Sequence, residues 1–298
     1  MVVQITKAIL ISSMFLLSGS ISSSQAALDG RYYYQTCPQA ENTVVQTIRN
    51  ASIYDPKVPA RILRMFFHDC FIRGCDASIL LDSKPDKKAE KDGPPNVSVR
   101  AFYVTDEAKA KLEKACPQTV SCADIIAMAA RDAVTMTGGP YWTVLKGRKD
   151  GRSFAKRRLG IKDLVALSGG HSLGFSHCSS FEARLHNFST IHDADPRMNS
   201  RAKEKKCPKP NKARTAGHFL DSTASRFDNA YYKGLMAGRG VFGTDQALYD
   251  DPTTGWMVES FAKDQNLFSR EFAASMIKLG NVRVSDSGEV RLNCRKVN

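Results

Sequence analysis

Eight cysteines, at positions 37, 70, 75, 116, 122, 178, 207 and 294, constrain this chain more than any other feature, because all of them follow a leader-like N-terminus. Lys7 precedes an apolar run from Ala8 to Leu17 broken only by Ser12 and Ser13, and the small-residue stretch Gly19 to Ala27 comes next. That layout predicts a cleaved secretory signal over 1–27, too short and too serine-rich to cross a bilayer. An even number of cysteines in an exported chain argues for four disulfides, and the lack of any CxxC pair argues against zinc. The pairing itself stays open at this point. Cys70 to Cys75 is a natural local loop, and any bond using Cys294 must tie down the C-terminus.

No Ser/Gly linker or internal repeat divides residues 28–298, which suit one large domain or two closely packed lobes. Apolar residues recur at three- and four-residue spacing over Val44 to Ile53, Ala60 to Cys70, Phe102 to Cys116, Cys122 to Thr135, Phe227 to Gly238, Gly255 to Lys263 and Glu271 to Leu279. Strand-like alternation is limited to pieces such as Trp142 to Leu145. The reading is a mainly α protein with very little β. Ser121 with Asp124 three residues on resembles a capping box, and Gly138-Gly139-Pro140 ends that helix. His192 to Asn211 is crowded with Pro, Asn and Asp and reads as loop.

The formal net charge is +13, and Lys7 is the only charge the leader would remove. For an exported chain that sign favours acidic wall polysaccharide as a partner over nucleic acid, although scattered basic residues also fit a plainly solvated surface. No other run is long and apolar enough to span a membrane.

Arg64 and His68 stand four apart on an apolar helical stretch, with Phe67 beside them. Such a pair is by itself more often structural than catalytic. Asp69, Asp76 and Ser78 surround Gly74 within ten residues and offer hard oxygen ligands for calcium, without EF-hand spacing. His171 follows Gly169-Gly170, small residues that would let a flat cofactor approach the backbone.

The segments ILRMFFHDCFIRGCDASILLD (62–82), VSCADIIAMAARDAV (120–134), DLVALSGGHSLG (163–174), RFDNAYY (226–232), TDQALY (244–249) and VRLNC (290–294) follow one another in this order. Together with the cysteines they resemble the secretory plant haem peroxidases, class III. The resemblance implies a two-lobed helical fold with four disulfides, a distal half over about 28–150 and a proximal half over about 161–298. It implies one haem b ligated by His171, with Asp245 accepting a hydrogen bond from the other ring nitrogen. His68 resembles the distal base, Arg64 the group that stabilises charge as the O–O bond breaks, and Asn96 the acceptor that orients His68. Phe67 would face the cofactor.

For two calcium ions the resemblance implies Asp69, Ile72, Gly74, Asp76 and Ser78 with Glu90 in support, and Ser172, Asp221, Thr223, Arg226 and Asp228. The interval Asp221 to Asp228 is one residue shorter than usual for the family. The implied disulfides are Cys37–Cys116, Cys70–Cys75, Cys122–Cys294 and Cys178–Cys207. Asp124 and Arg148 resemble a buried structural ion pair. Asn96-Val97-Ser98 is a formal glycosylation sequon that a pocket role would hide, which leaves Asn50 and Asn187 as glycan candidates.

The implied function is peroxide-driven oxidation of phenolic donors by a secreted, monomeric glycoprotein of the cell wall or apoplast, with the vacuole as the alternative destination. It would remove hydrogen peroxide, respond to oxidative stress and couple wall phenolics. One departure stands out: between Arg152 and Ile161 the family normally has a longer stretch at the haem edge, and only Ser153 to Gly160 remains. No donor-binding residue is therefore carried over. Two other readings remain: a basic wall-binding protein on the same scaffold without turnover, and a copper or zinc oxidoreductase using His68, His171 and His177.

Overall fold

The helix that begins at Cys122 is buried at every position as far as Val134, and the first half of the chain is arranged around it. The computed structural model describes residues 28–72, 74–85, 88–93, 95–151, 159–182, 184, 207, 216–281 and 288–298. The leader, most of the shortened 152–161 segment and Asn187 lie outside the described residues. Helices α1 (Ala40–Tyr54), α2 (Val58–Ile72), α3 (Phe102–Ala115) and α4 (Cys122–Met136) come first, with α1, α2 and α3 all packed on α4. Then follow α5 (Ile161–Ser168), a 3₁₀ turn (Gly169–Ser172), and the antiparallel pair β1 (Phe175–His177) and β2 (Gly217–Phe219). The last helices are α6 (Ala230–Met236), α7 (Gly243–Asp250), α8 (Pro252–Lys263) and α9 (Gln265–Gly280). α8 packs on α5, α6 and α7, while α9 packs on α5 and α2. One hydrophobic core is continuous through both halves, with a small satellite around Phe181, Cys207 and Val241.

The mainly helical expectation holds, and the differences lie at ends and in short elements. α8 and α9 start earlier than periodicity indicates because Asp251 and Asp264 cap them: Asp251 accepts from Thr253 N at 2.8 Å, and Asp264 from Asn266 N and Leu267 N at 2.8 and 2.9 Å. α6 starts later, since Phe227 is stacked on Phe268 in the core and its amide donates to Thr137 O outside the helix. Trp142 to Leu145 is not a strand. Trp142 and Val144 are buried between more exposed neighbours, but the nearest ladder contact is a single bridge from Lys146 to Asp29. The capping box at α4 is only half present. Ser121 Oγ accepts from Asp124 N at 3.1 Å, but the Asp124 carboxylate is turned inward instead of back to the Ser121 amide.

There Asp124 accepts from Tyr33 Oη (2.7 Å), Gly147 N (2.6 Å) and Arg148 Nη1 (2.9 Å), and both Asp124 and Arg148 are buried. Arg148 also donates to Gly280 O at the end of α9, so this pair joins α4 to the last helix. A buried pair contributes little against an apolar replacement, yet removing one partner strands the other. Arg148→Met is accordingly expected to lower unfolding free energy by about 3–5 kcal/mol in urea titrations.

The four disulfides are Cys37–Cys116, Cys70–Cys75, Cys122–Cys294 and Cys178–Cys207, the pairs that the resemblance implies, and no cysteine is free. Among the described residues no helix is long and apolar enough to cross a membrane.

Candidate active site

α2 buries Leu63, Met65 and Phe66 but turns Arg64 outward, with His68 one helical turn further on. Arg64 Nε donates to His68 Nε2 at 3.2 Å. A guanidinium can only donate, so Nε2 carries no proton and the ring proton sits on Nδ1. Nδ1 lies 2.6 Å from Asn96 Oδ1, which accepts it. Asn96 is buried and locked in turn, its Nδ2 donating to Glu90 O at 2.9 Å. The three side chains therefore hold His68 as a neutral imidazole with a bare Nε2. Burial, and then the Arg64 charge, keep its pKa below the usual histidine value, against an upward pull from Asn96.

The other arm of Arg64 donates to Ser98 Oγ at 2.8 Å. Nothing in the sequence singles out Ser98 except the sequon it shares with Asn96, and the buried Asn96 is not available to a glycan. Asn50 is exposed on α1. Phe67 is partly buried, stacked on Phe71 at 4.6 Å and edge-on to His68 at 6.2 Å.

His171 lies in the 3₁₀ turn after α5. Its Nδ1 faces both oxygens of Asp245, at 3.0 and 3.2 Å, from the first turn of α7. Burial pushes the His171 pKa down, but the charge and hydrogen bond of buried Asp245 outweigh it and the net shift is upward. Phe242 and Tyr231 flank the ring, with centroids at 5.3 and 6.1 Å. The His171 side chain still presents 41% of its surface to solvent, and the Arg64 charge reaches it. Both histidines thus have Nδ1 engaged by a buried partner, and the Arg64 charge that bonds His68 also reaches His171. With Nδ1 engaged, His171 Nε2, flanked by Phe242 and Tyr231, could serve as a ligand nitrogen for a flat cofactor. A small cavity lined by Phe66, Trp142, Arg148 and Met276 includes none of these site residues.

Of the two glycines before His171, Gly169 has a packing role that the sequence did not indicate. A Cβ on Gly169 would come within 2.4 Å of the Phe268 ring and 2.6 Å of Tyr232 Oη, whereas one on Gly170 would meet only Leu63, at 3.6 Å. Close packing against α6 and α9, not cofactor approach, requires Gly169.

Asp69, in the last turn of α2, is buried together with Asp76 and Ser78 of the segment that follows the helix. Asp69 accepts from Ala77 N at 3.0 Å, Asp76 from Ser78 N at 3.0 Å, and Ser78 Oγ donates directly to Glu90 at 2.8 Å. Gly74 bends the loop at φ 113°, and a Cβ on Gly151 would strike Asp76 Oδ2 at 2.7 Å. Burial, then the charges of Asp76 and Glu90, push the Asp69 carboxyl well above its ordinary range. A divalent cation would relieve that repulsion.

In the second half, Thr223 joins Asp221 and Asp228: its amide donates to Asp221 at 2.8 Å and its hydroxyl to Asp228 at 2.9 Å. Gly174 N to Ala224 O and Leu220 N to Gly174 O clasp this loop to the segment after Ser172. Among the described residues the buried Ser172 hydroxyl has no hydrogen-bond partner, and burial, followed by the Asp228 charge, raises the Asp221 carboxyl to about 7. The shortened spacing still brings Asp221 and Asp228 together. Arg226 is exposed, 3.7 Å from Asp228. Among the described residues no three His, Cys, Asp or Glu side chains converge on one point, so both oxygen sets fit calcium only with hydroxyl and carbonyl ligands added, as that ion accepts.

The family model described as "Peroxidase" matches residues 41–158 and 152–264. Its two pieces meet in the segment that is shorter than the family pattern. "Peroxidase 66" of Arabidopsis thaliana is 58% identical over 319 residues, covering 98% of this chain and 99% of that protein. That alignment is longer than the 298 residues of this chain, so the relative carries residues absent here. "Peroxidase 64" and "Peroxidase 17" of the same plant are 48% and 43% identical, covering 93% and 90% of this chain and 95% and 89% of their own lengths.

Proposed function

The chain belongs to the class III plant peroxidases and is a peroxidase enzyme, and from that premise we propose that it is exported and uses hydrogen peroxide to oxidise phenolic donors. The observation that carries this reading is His68 held neutral between Arg64 and Asn96, with His171 held by Asp245 within reach of the Arg64 charge. One haem b, bound through His171, would supply the redox chemistry.

The protein groups supply the rest. His68 Nε2 accepts a proton from hydrogen peroxide and returns it to the departing oxygen, which leaves as water. Arg64, permanently charged and planar, stabilises the negative charge that develops on that oxygen. Asn96 keeps the basic nitrogen free of a proton, and Asp245 raises the donor strength of His171. Asp69, Asp76 and Ser78, with the carbonyls of Ile72 and Gly74 and with Glu90 behind them, would hold one calcium next to His68. Ser172, Asp221, Thr223, Asp228 and the Arg226 carbonyl would hold the other next to His171. Four disulfides and a positive charge suit life in a polyanionic wall outside the cell. The turnover-free wall-binding alternative is not favoured, since named peroxidases match along nearly the whole chain.

The test is reconstitution with haem and calcium. A Soret band and peroxide-dependent oxidation of guaiacol are expected; haem binding without turnover would refute the proposed activity. Because burial holds the His68 pKa below the usual histidine value, Nε2 stays unprotonated through neutral pH. The stopped-flow rate constant for peroxide should therefore be flat across neutrality and fall only in acid below that value.

A further inference from the structure

Two adjacent tyrosines on α6, Tyr231 and Tyr232, are both buried, and their hydroxyls are treated very differently. Tyr232 Oη donates to Val165 O at 2.8 Å and is also 3.3 Å from Ala166 O, at the end of α5. Among the described residues Tyr231 Oη has no partner within full hydrogen-bonding geometry, although the Asp245 carboxylate is close enough to act on it. Its ring stands edge-on to His171 at 6.1 Å, and burial and then the charge of Asp245 push its ionisation far above the ordinary phenol range. Asp245 is equally short of partners. A buried carboxylate offers about four lone-pair sites, and among the described residues His171 Nδ1–H is the one donor in hydrogen-bonding geometry with it. A donor without an acceptor thus sits beside an acceptor with capacity to spare.

We propose that Tyr231 is a positioning residue of the peroxidase site, whose hydroxyl donates to Asp245 and shares its negative charge with His171. Hydrogen bonds to one carboxylate compete, because each donor that engages it withdraws charge from the others. Full pull by Asp245 would give His171 strong imidazolate character, whereas a second donor moderates it. Tyr231 would then set the electron-donor strength of the ligand without touching it. Packing alone would not demand a hydroxyl here: phenylalanine offers the same ring and leaves no buried polar atom unsatisfied.

The proposal rests on His171 being the haem ligand, and its test separates the two. In the haem-loaded Tyr231→Phe variant, the ferrous iron–histidine stretching frequency should rise and the ferric/ferrous potential should fall relative to wild type, with the Soret intensity retained. Unchanged frequency and potential would overturn it, as would shifts in the opposite direction. A second measurement uses wild-type apoprotein. A slowly exchanging Tyr231 hydroxyl proton with a nuclear Overhauser effect to His171 Nδ1–H is expected, and its absence would reject the proposal even if the variant failed to fold. Failure of wild type to bind haem would instead remove the parent reading and leave the apoprotein result standing.

Discussion

Replacing His68 with alanine is expected to slow the reaction with hydrogen peroxide by about a thousandfold while the Soret band of the bound haem persists. A positioned general base contributes typically 10²–10⁴ in rate, and His68 takes and returns the same proton, so both halves of that transfer are lost together. Nothing nearby can replace it. Arg64, 3.2 Å away, is a permanent donor with no lone pair to offer, and Asn96 is neither basic nor free, being buried and bonded to Glu90 O. The variant should also lose the acid-side fall in the rate profile, because the group whose protonation causes it is gone. Stopped-flow mixing of the loaded variant with peroxide measures both. Reactivity equal to wild type would sink the role assigned to His68, and loss of the Soret band would show that its place is structural.

The site was legible in the sequence to different depths for physical reasons. Arg64 and His68 at i and i+4 share a helix face by geometry alone, but that spacing cannot say which face is buried. The answer depends on the elements packed on α2, namely α4, α9 and the 3₁₀ turn, among which Leu63, Met65 and Phe66 are buried while Arg64 is left outside. Asn96 and Asp245 come from distant segments, so only the family pattern could pair them with histidines 28 and 74 residues away. Ser98 left no signal beyond a sequon, because a hydroxyl that orients an arginine looks like any loop serine. Long helices with one apolar face were readable. α5 and α7, eight residues each, fall below the length at which periodicity discriminates, and β1 and β2 have three residues each. The packing role of Gly169 was not readable, since sequence cannot show Phe268 behind it.

Removing the Cys122–Cys294 bond, as Cys122→Ala with Cys294→Ala, should cost about 5 kcal/mol of unfolding free energy, the largest stability effect of any single crosslink here. Its ends are 172 residues apart, against 79 for Cys37–Cys116, 29 for Cys178–Cys207 and 5 for Cys70–Cys75, and the chain-entropy term grows with the logarithm of the closed loop. Against a total stability of about 5–15 kcal/mol, that loss is a third or more. Local structure concentrates the effect. Asp150 accepts from Cys122 N, Ala123 N and Arg291 N, and the buried Arg291 guanidinium donates to Ala77 O and Gly151 O. Freeing Cys294 would therefore loosen the start of α4 and the Asp69–Ser78 loop at once. Cys70–Cys75 gives the contrast. Its short loop predicts only about 2 kcal/mol, but the bond frames the oxygen cluster around Asp69 and Asp76, so its loss should weaken calcium retention more than global stability. Guanidinium titrations of the two variants, each with and without calcium, separate these outcomes: equal losses in both would contradict the assignment of one bond to the whole fold and the other to the loop.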